Sequence, residues 1–323
     1  MCTAITLNTK DHYFGRNLDL EYSYNEAITI TPRSFIFKFR HVPNVKKHYA
    51  IIGISTIDED YPLYYDAVNE KGLAMAGLNF PDNARYLPIN ADKDNIAPFE
   101  FIPWILTQCS SVNEAEEYIN RINLAEICFN EKFPISPLHW IISDKHSSIV
   151  VEPLKDGVHI YKNSIGVLTN NPTFDIQLFN LNNYMQISNK NPNNNFSDQI
   201  SLSCYSRGMG GLGLPGDWSS ASRFVKAAFL KLNSVCDDNN GKSVNQFFHI
   251  LDSVAHPRGC VKVKNKNEIT VYSSCTNTDK GIYYYKTYEN SRITAVDMFK
   301  ENLDDDKLVS YPLLNSQDIY HQN

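Results

Sequence analysis

The chain has 323 residues, of which 42% are apolar and 20% charged. This length and composition are typical of a globular protein that buries a substantial core, in one large domain or two modest ones. The formal net charge of -6 argues against nucleic acid or a membrane surface as a partner, although a local Arg cluster would still admit a small acidic substrate.

The start of the chain and its cysteines bear on the cellular compartment. The segment MCTAITLNTKDHYFGR has no basic region leading into an apolar stretch, so it does not resemble a secretion signal. No apolar run approaches the ~20 residues that a bilayer-spanning helix requires. The seven cysteines form no CxxC pair, which argues against a disulfide framework and a zinc site. We therefore expect a cytoplasmic protein with no metal ion and no membrane association.

The first half of the chain opens with strands and continues with helices. Alternating residues 3–7, a turn at 8–11 and residues 12–14 predict an opening hairpin. Residues 49–56 and 73–79 are apolar and bounded by turn residues, which predicts buried strands. Residues 98–108 are largely apolar and predict a helix. Ser111 and Glu114 fit a capping box that opens a second helix, expected to run to about residue 123.

The second half of the chain also has predicted strands followed by predicted helices, and it ends in further strands. Strands are predicted at 138–143, 148–152, 158–161 and 166–169, and helices at 174–187, 220–232 and 244–254. Three further strands are predicted at 268–272, 281–287 and 292–298. Runs of strands that alternate with runs of helices favour an α+β fold with antiparallel sheets and segregated helices, rather than a parallel βαβ sheet.

Two segments have a biased composition and no helix or strand pattern. Residues 188–199 are rich in Asn, and residues 208–216 are rich in Gly, so we predict one long exposed excursion over about 188–216. Residues 208–213 also match G-x-G-x-x-G. A dinucleotide site needs a buried strand before this motif and a helix opening directly from it, and neither is predicted here. We interpret the motif as a flexible loop.

Cys2 is the candidate nucleophile. By itself a cysteine at the second position carries little information, but its chemistry is suitable. Cys is small enough for an aminopeptidase to remove Met1. The thiol and the free α-amine then share one residue, and an amine with an ordinary pKa near ~8 is partly neutral and can accept the thiol proton. No separate His is then required.

Arg16 and Asp19, at the end of the opening hairpin, are predicted to return close to Cys2. Arg16 would favour the thiolate form of Cys2, and Asp19 would hold the α-amine. Without further context, an Arg and an Asp at this spacing are more typical of a surface ion pair.

Seven segments together resemble the choloylglycine hydrolase family of N-terminal nucleophile hydrolases, in order and over nearly the whole chain. They are MCTAITL, FGRNLDLEYSY, NEKGLAMAGLNFP, LHWIISD, GVLTNNPTFD, GLPGDWSSASRF and GIYYYKTYEN. The resemblance implies a four-layer αββα sandwich with two antiparallel sheets, formed by a single domain over residues 1–323. It also implies an amide hydrolase that needs no cofactor and that assembles as a homotetramer, with the excursion as a subunit contact.

The resemblance also assigns roles. The family's catalytic positions match Cys2, Arg16, Asp19, Asn79, Asn170 and Arg223, with no departure at any of the six, although the opening hairpin is slightly shorter than usual. Asn79 and Asn170 would donate to the oxyanion, and Arg223 would stabilise charge near the thiol. The residues that match the acyl pocket are Leu18, Tyr24, Phe129, Phe133 and Leu138. Without the resemblance, strand-end asparagines, a helix-surface Arg and ordinary core would explain these residues.

The resemblance favours conjugated bile salts as substrates, because bile salt hydrolases resemble this chain at Asn79 whereas penicillin V acylases usually carry Tyr there. Penicillin V acylase, with the same mechanism, remains the first alternative. A non-catalytic or redox-sensing thiol protein is the second, and it would require a retained Met1, or a buried Cys2 together with a dispersed set of the six site residues.

Overall fold

The computed structural model describes residues 1–323 and contains two large antiparallel β-sheets. The strands are β1 (Cys2–Asn8), β2 (His12–Leu20), β3 (Ala27–Thr31), β4 (Ile51–Asp58), β5 (Tyr61–Asn69), β6 (Ala74–Asn79), β7 (Asp94–Ile96), β8 (Ile122–Leu124), β9 (Leu138–Ser143), β10 (Ser148–Leu154), β11 (Gly157–Lys162), β12 (Val167–Leu168), β13 (Val261–Val263), β14 (Lys266–Asn277), β15 (Ile282–Thr287), β16 (Asn290–Asp297) and β17 (Val309–Pro312). The α-helices are α1 (Phe101–Gln108), α2 (Val112–Ile119), α3 (Phe174–Asn180), α4 (Ser220–Leu232) and α5 (Asn240–Asp252).

The first sheet is built around the opening hairpin. Its seven strands run in the order β12-β1-β2-β14-β15-β16, with β13 paired to β14. Residues 2–7 of β1 are buried on both faces, because helices cover one face and the second sheet covers the other. Gly15 allows β2 and β14 to approach here, since a Cβ at this position would lie 2.1 Å from the carbonyl oxygen of Ser274.

The second sheet has eight strands in the order β11-β10-β9-β6-β5-β4-β3-β17. Side chains alternate along β6. Ala74, Ala76 and Leu78 join the core that the two sheets share, whereas Met75 joins the core beneath α1 and α2. The end of β6, at Asn79, lies beside the start of β1, because Asn170 donates to the carbonyl of Asn79 and accepts from the backbone N–H of Cys2.

The helices form the outer layers. Helices α4 and α5 pack on β1, β2, β12 and β14 of the first sheet, and α1 packs on β5 and β6 of the second. One core of 36 buried residues fills the space between the sheets and under α4 and α5, and a second of 26 lies between the second sheet and α1 and α2. The layers are thus helix, sheet, sheet, helix, which confirms the predicted αββα architecture.

Most predicted elements are present, and α4 has the predicted bounds. The expected length of α2 is wrong. This helix ends at Ile119, and Ile122–Leu124 forms a short strand parallel to β7, held by Asn123, whose side-chain amide donates to Asn95 and to the carbonyl of Pro88. Glu114 accepts from the amide of Ser110 (2.6 Å) rather than from the N-cap Ser111, so the capping box is only half formed.

The predicted excursion is also present. Between residues 188 and 216 the only regular element is a 3₁₀ turn at Met209–Gly211, and most side chains are exposed. No strand precedes the G-x-G-x-x-G segment, and α4 starts only at Ser220. The segment therefore lacks the strand and helix of a dinucleotide site, as predicted.

None of the helices is both long enough and apolar enough to cross a membrane.

Candidate active site

Cys2 lies at the first position of β1, where the first sheet meets the end of β6. It pairs with Leu18 of β2 and is 3% exposed. Its backbone N–H donates to Oδ1 of Asn170, 3.0 Å away. The register of the hairpin places Arg16 opposite Ala4, so the side chains of Cys2 and Arg16 emerge on the same face of the sheet.

Arg16 is fully buried, and the structure gives its guanidinium only backbone partners. Nη1 donates to the carbonyls of Gly77 and Tyr65 (3.2 Å), and Nη2 has no hydrogen-bond partner. Burial opposes its charge, but the nearby thiol of Cys2 and the Tyr272 and Asp66 side chains hold the pKa of Arg16 above its ordinary value. Arg16 is thus a fixed cation beside the thiol, with one donor unused.

Asn170 and Arg223 enclose the other side of Cys2. Arg223 is 1% exposed, although it lies in the first turn of α4. It donates to the carbonyl of Cys2, to Oγ1 of Thr3 (2.6 Å) and to Oδ1 of Asn170 (2.7 Å). The donors on Cys2 and Arg223 both face Oδ1 of Asn170, which fixes the orientation of its amide. Burial lowers the pKa of Arg223, and the charges of Asp19 and Cys2 oppose that shift.

The two predicted oxyanion donors meet at the end of β6. Asn170 Nδ2 donates to the backbone carbonyl of Asn79 at 2.6 Å. The structure gives the side-chain amide of Asn79 no hydrogen bond, and this side chain is partly exposed. The amide of Asn79 is therefore free to donate to a ligand at the mouth of the site.

Asp19 is buried near the N-terminus, but its carboxylate does not contact the N-terminal amine of the chain that carries Met1. That ammonium donates to the backbone carbonyl of Asp19 at 2.6 Å and to Oε2 of Glu268 at 3.0 Å. The carboxylate of Asp19 accepts from the hydroxyl of Thr270 at 2.6 Å. Asp19 therefore lies near the N-terminus, and its contact with the α-amine of Cys2 stays a prediction, because that amine is free only after Met1 is removed.

An apolar cavity of about 210 Å³ opens beside Arg16, between the second sheet, α1 and the loop at 127–136. Four of the five predicted pocket residues line it: Tyr24, Phe129, Phe133 and Leu138. Leu18 does not, because it faces the core opposite Cys2 and is 3% exposed. Gly77 and Tyr65, whose carbonyls accept from Arg16, also line the cavity and so place it on the Arg16 side of the site, although none of the six predicted catalytic residues lines it.

The sequence analysis did not identify several residues that neighbour the site. Glu268, His256 and Thr270 surround the N-terminus and Asp19, and Asp66 accepts from the hydroxyls of Tyr272 and Tyr283 behind Arg16. Glu268 and Thr270 lie in β14, whose pairing with β2 no local pattern reveals, and His256 accepts from the backbone of Thr270. Asp66 lies in β5 of the second sheet. The only sequence signal was the unusual presence of ionisable residues in otherwise apolar strands, such as Asp66 in YPLYYDAVN.

A larger cleft of about 620 Å³ lies at the opposite end of β1, around Asn8 and Lys231. Its lining is mainly polar and includes none of the six predicted catalytic residues. It is therefore separate from the site around Cys2.

Comparison with known proteins agrees with this geometry. Residues 2–311 match the model of linear amide C–N hydrolases of the choloylglycine hydrolase family. The chain is 57% identical to a protein named bile salt hydrolase/transferase from Lactiplantibacillus plantarum, with 100% of both chains covered. It is 44% identical, again over 100% of both chains, to a protein of the same name from Clostridium perfringens.

Solved structures give the same result for the fold. A variant of the conjugated bile acid hydrolase from Clostridium perfringens superposes with a TM-score of 0.93 at 42% identity, covering 100% of both chains. Penicillin V acylase from Agrobacterium tumefaciens superposes with a TM-score of 0.76 at 19% identity, over 96% of this chain and 90% of that one, and supports the fold alone. The chain therefore belongs to the choloylglycine hydrolase family, as its seven matching segments predicted.

Proposed function

We propose that this chain hydrolyses the amide bond of glycine- or taurine-conjugated bile salts through a thioester on Cys2. The observation that carries the proposal is the enclosure of Cys2 by Arg16, Asn170 and Arg223, with an apolar cavity on the Arg16 side of this group. The names of the relatives from Lactiplantibacillus plantarum and Clostridium perfringens support the choice of substrate.

The nucleophile forms when Met1 is removed. The α-amine of Cys2 then accepts the thiol proton, and the sulfur attacks the amide carbon. Arg16 favours the thiolate because it is a buried cation whose own partners are uncharged carbonyls. The tetrahedral intermediate loses the amine, which leaves with the transferred proton. Water then cleaves the thioester and releases the bile acid.

Asn79 and Asn170 supply the oxyanion hole in this mechanism. The side-chain amide of Asn79 has no other hydrogen-bond partner, and Nδ2 of Asn170 has one hydrogen bonded to the carbonyl of Asn79 and a second that is available. One such donor typically stabilises the transition state by ~3 to 4 kcal/mol. Arg223 orients Asn170 and the Cys2 carbonyl, which keeps the donors fixed during the reaction.

The apolar cavity would receive the steroid. Its wall is mostly hydrophobic, with 12 of 17 lining residues apolar, and aromatic side chains from the loop at 127–136 contribute to it. Apolar walls with a few polar groups at the reacting end are typical of small-molecule sites. The assignment of Tyr24, Phe129, Phe133 and Leu138 to substrate binding is part of this proposal, whereas Leu18 acts only as packing beneath Cys2.

The proposal is tested by measuring kcat/KM for glycocholate, taurocholate and penicillin V under matched conditions. We expect turnover of at least one conjugated bile salt and weaker turnover of penicillin V. Faster turnover of penicillin V would favour the penicillin V acylase alternative. A thiol protein without catalysis would turn over none of the three, and the enclosure of Cys2 by buried cations argues against it.

The names of two relatives add a transferase activity to the hydrolase. The same thioester can be cleaved by an amine instead of water, so acyl transfer needs no further residue. The assay incubates the protein with glycocholate and a second amino acid. Transfer of the cholyl group from the Cys2 thioester to that amino acid would give a new conjugate. Release of free cholate alone would limit the activity to hydrolysis.

We further propose that the chain is a single cytoplasmic domain that assembles as a homotetramer through the excursion at 188–216. Support comes from large apolar side chains exposed there and on the adjacent α3 region: Phe179, Met185, Phe196 and Tyr205 are 73–83% exposed. Patches of this kind usually mark interfaces. Light scattering of the intact protein and of a Phe196→Asp, Tyr205→Asp variant tests the assembly, and an unchanged mass for the variant would contradict this contact.

A further inference from the structure

Four buried polar atoms without a hydrogen-bond partner cluster beside the start of the chain. They are Oδ2 of Asp19, both ring nitrogens of His256 and Oε1 of Glu268. The side chains of Asp19 and His256 are 0% exposed, and that of Glu268 is 4% exposed. Buried polar groups in proteins are nearly always paired, so a cluster of unpaired ones next to a candidate nucleophile requires a reason.

His256 lies between the two carboxylates. Its Nδ1 is 2.9 Å from Oε1 of Glu268, and its Nε2 is 3.8 Å from Oδ2 of Asp19. The first distance is short, but the contact does not meet hydrogen-bond geometry, so both ring nitrogens of His256 stay without a hydrogen-bond partner. Thr270 links the group: its hydroxyl donates to Asp19 at 2.6 Å and its Oγ1 accepts from the backbone of His256 at 2.8 Å.

Glu268 holds the N-terminal ammonium of Met1 at 3.0 Å. Burial by itself raises the pKa of Glu268, but His256 and this ammonium overcome the effect, and the net shift is downward. Removal of Met1 moves the charged amine by one residue, ~3.8 Å along the chain, to Cys2. Glu268 then loses its direct cation, and a buried carboxylate without a counter-charge is strongly disfavoured.

We infer that Glu268 and His256 are positioning residues for the N-terminal amine of Cys2 after Met1 is removed. Glu268 acts from β14 and favours the protonated amine, while the imidazole of His256, between Glu268 and Asp19, fixes the position of the Glu268 carboxylate. This role goes beyond the six matched residues and rests on the proposed Cys2 mechanism.

The charges that face this amine come from every neighbouring element. They are Asp19 from β2, Glu268 from β14, Arg223 from α4, the Cys2 thiol itself and Arg16 on the far side of the thiol. The effects of substituting the carboxylate and of substituting its neighbour should therefore differ in size. Glu268→Gln removes an anion and makes the neutral, proton-accepting amine available at lower pH. His256→Gln keeps the Glu268 carboxylate and removes only the ring that fixes its position, so its effect should have the same direction and be smaller.

The experiment measures two pH profiles for each variant: kcat/KM for glycocholate, and the rate at which iodoacetamide alkylates Cys2. Intact mass first verifies that Met1 is absent. We expect the acidic limb of both profiles to move to lower pH by about half a pH unit or more in Glu268→Gln, and by less in His256→Gln. Glu268→Asp, which keeps the charge, should retain the wild-type limb.

Glu70→Gln is the matched control. Glu70 is a largely buried carboxylate paired with Arg33 at 2.6 Å, in the turn before β6 and at the opposite end of that strand from Asn79. The Glu70→Gln variant should leave the acidic limbs of both pH profiles at their wild-type positions. Equal shifts in the control, a larger shift in His256→Gln than in Glu268→Gln, or no shift in either variant would overturn the inference. Should wild-type protein not hydrolyse glycocholate, the proposed function fails, and the alkylation profiles still test the positioning role. Should Glu268→Gln not fold, His256→Gln and Glu268→Asp decide the outcome.

Discussion

Two thiols of the first sheet, Cys2 and Cys275, are almost equally buried, at 3% and 0% exposure. Cys275 lies in the middle of β14 within the apolar core, and burial alone raises its pKa well above the ordinary value. Cys2 lies at the end of β1, among Arg16, Arg223 and Asn170. Burial without charge makes a thiol inert, whereas burial beside fixed cations can make it a nucleophile.

The strongest test of this contrast is to replace each thiol. We expect Cys2→Ser to lose activity on conjugated bile salts by at least about a thousandfold, because a hydroxyl is much harder to deprotonate than a thiol near neutral pH. Cys275→Ala should keep its activity and lose stability by about 1 to 2 kcal/mol, for the small cavity it leaves. Steady-state kinetics and thermal unfolding measure both. Near wild-type turnover by Cys2→Ser would exclude Cys2 as the nucleophile.

The second test concerns the amine, which Cys275 lacks altogether. A chain that retains Met1, or that carries one added residue before Cys2, should lose nearly all activity, because the backbone N–H of an amide cannot accept the thiol proton. Intact mass and activity are measured on the same preparation, with the processed chain as control. Full activity in a sample whose mass still includes Met1 would refute the mechanism.

The third test separates the thiol from the oxyanion hole. Asn79→Ala should reduce kcat by about a hundredfold to a thousandfold, which corresponds to the ~3 to 4 kcal/mol typical of one oxyanion donor. Alkylation of Cys2 should continue at the wild-type rate, because this amide acts on the substrate oxygen and not on the sulfur. A parallel loss of alkylation would show that Asn79 supports the thiol instead.

The fourth test compares labelling of the two thiols in the folded protein. Iodoacetamide should modify Cys2 first among the seven cysteines and inactivate the protein, and Cys275 should react at least about a hundredfold more slowly. Cys128, Cys204 and Cys260 are exposed and serve as internal references for ordinary accessible thiols. Peptide mapping over time follows each site. Faster labelling of these three cysteines than of Cys2 would contradict the proposal that the thiol of Cys2 is activated.

The smallest expected effect concerns the apolar cavity on the Arg16 side of the site. We expect kcat/KM for at least one conjugated bile salt to exceed that for penicillin V by about tenfold or more, which requires only ~1.4 kcal/mol of differential transition-state binding. Apolar contacts to a steroid supply that at ~25 cal/mol per Å². Phe133→Ala should reduce the ratio of kcat/KM for the bile salt to kcat/KM for penicillin V. Leu18→Met, a substitution in the core, is the control and should leave this ratio unchanged. The reverse preference would reject the bile salt assignment but leave the Cys2 mechanism intact.

The sequence by itself determined the elements that depend on local patterns. Apolar alternation identified β1, β4, β6 and β9, and the periodic segment at 220–232 identified α4 with its bounds. Six strands were missed, namely β3, β5, β7, β8, β13 and β17. Strand β5 illustrates the reason: its Pro62 and Asp66 break the usual pattern, and Asp66 is accommodated only because Tyr272 and Tyr283 from the other sheet donate to it.

For the site, the sequence named the residues through their resemblance to a family, but only the tertiary structure decided their partners. Arg223 is a buried side chain holding Cys2 and Asn170, although helix periodicity allowed a surface position. Glu268 and His256 come from segments some 250 residues after Cys2, and no pattern links them to it. The physical reason is that a charge's environment depends on pairing between distant strands, which local sequence does not encode.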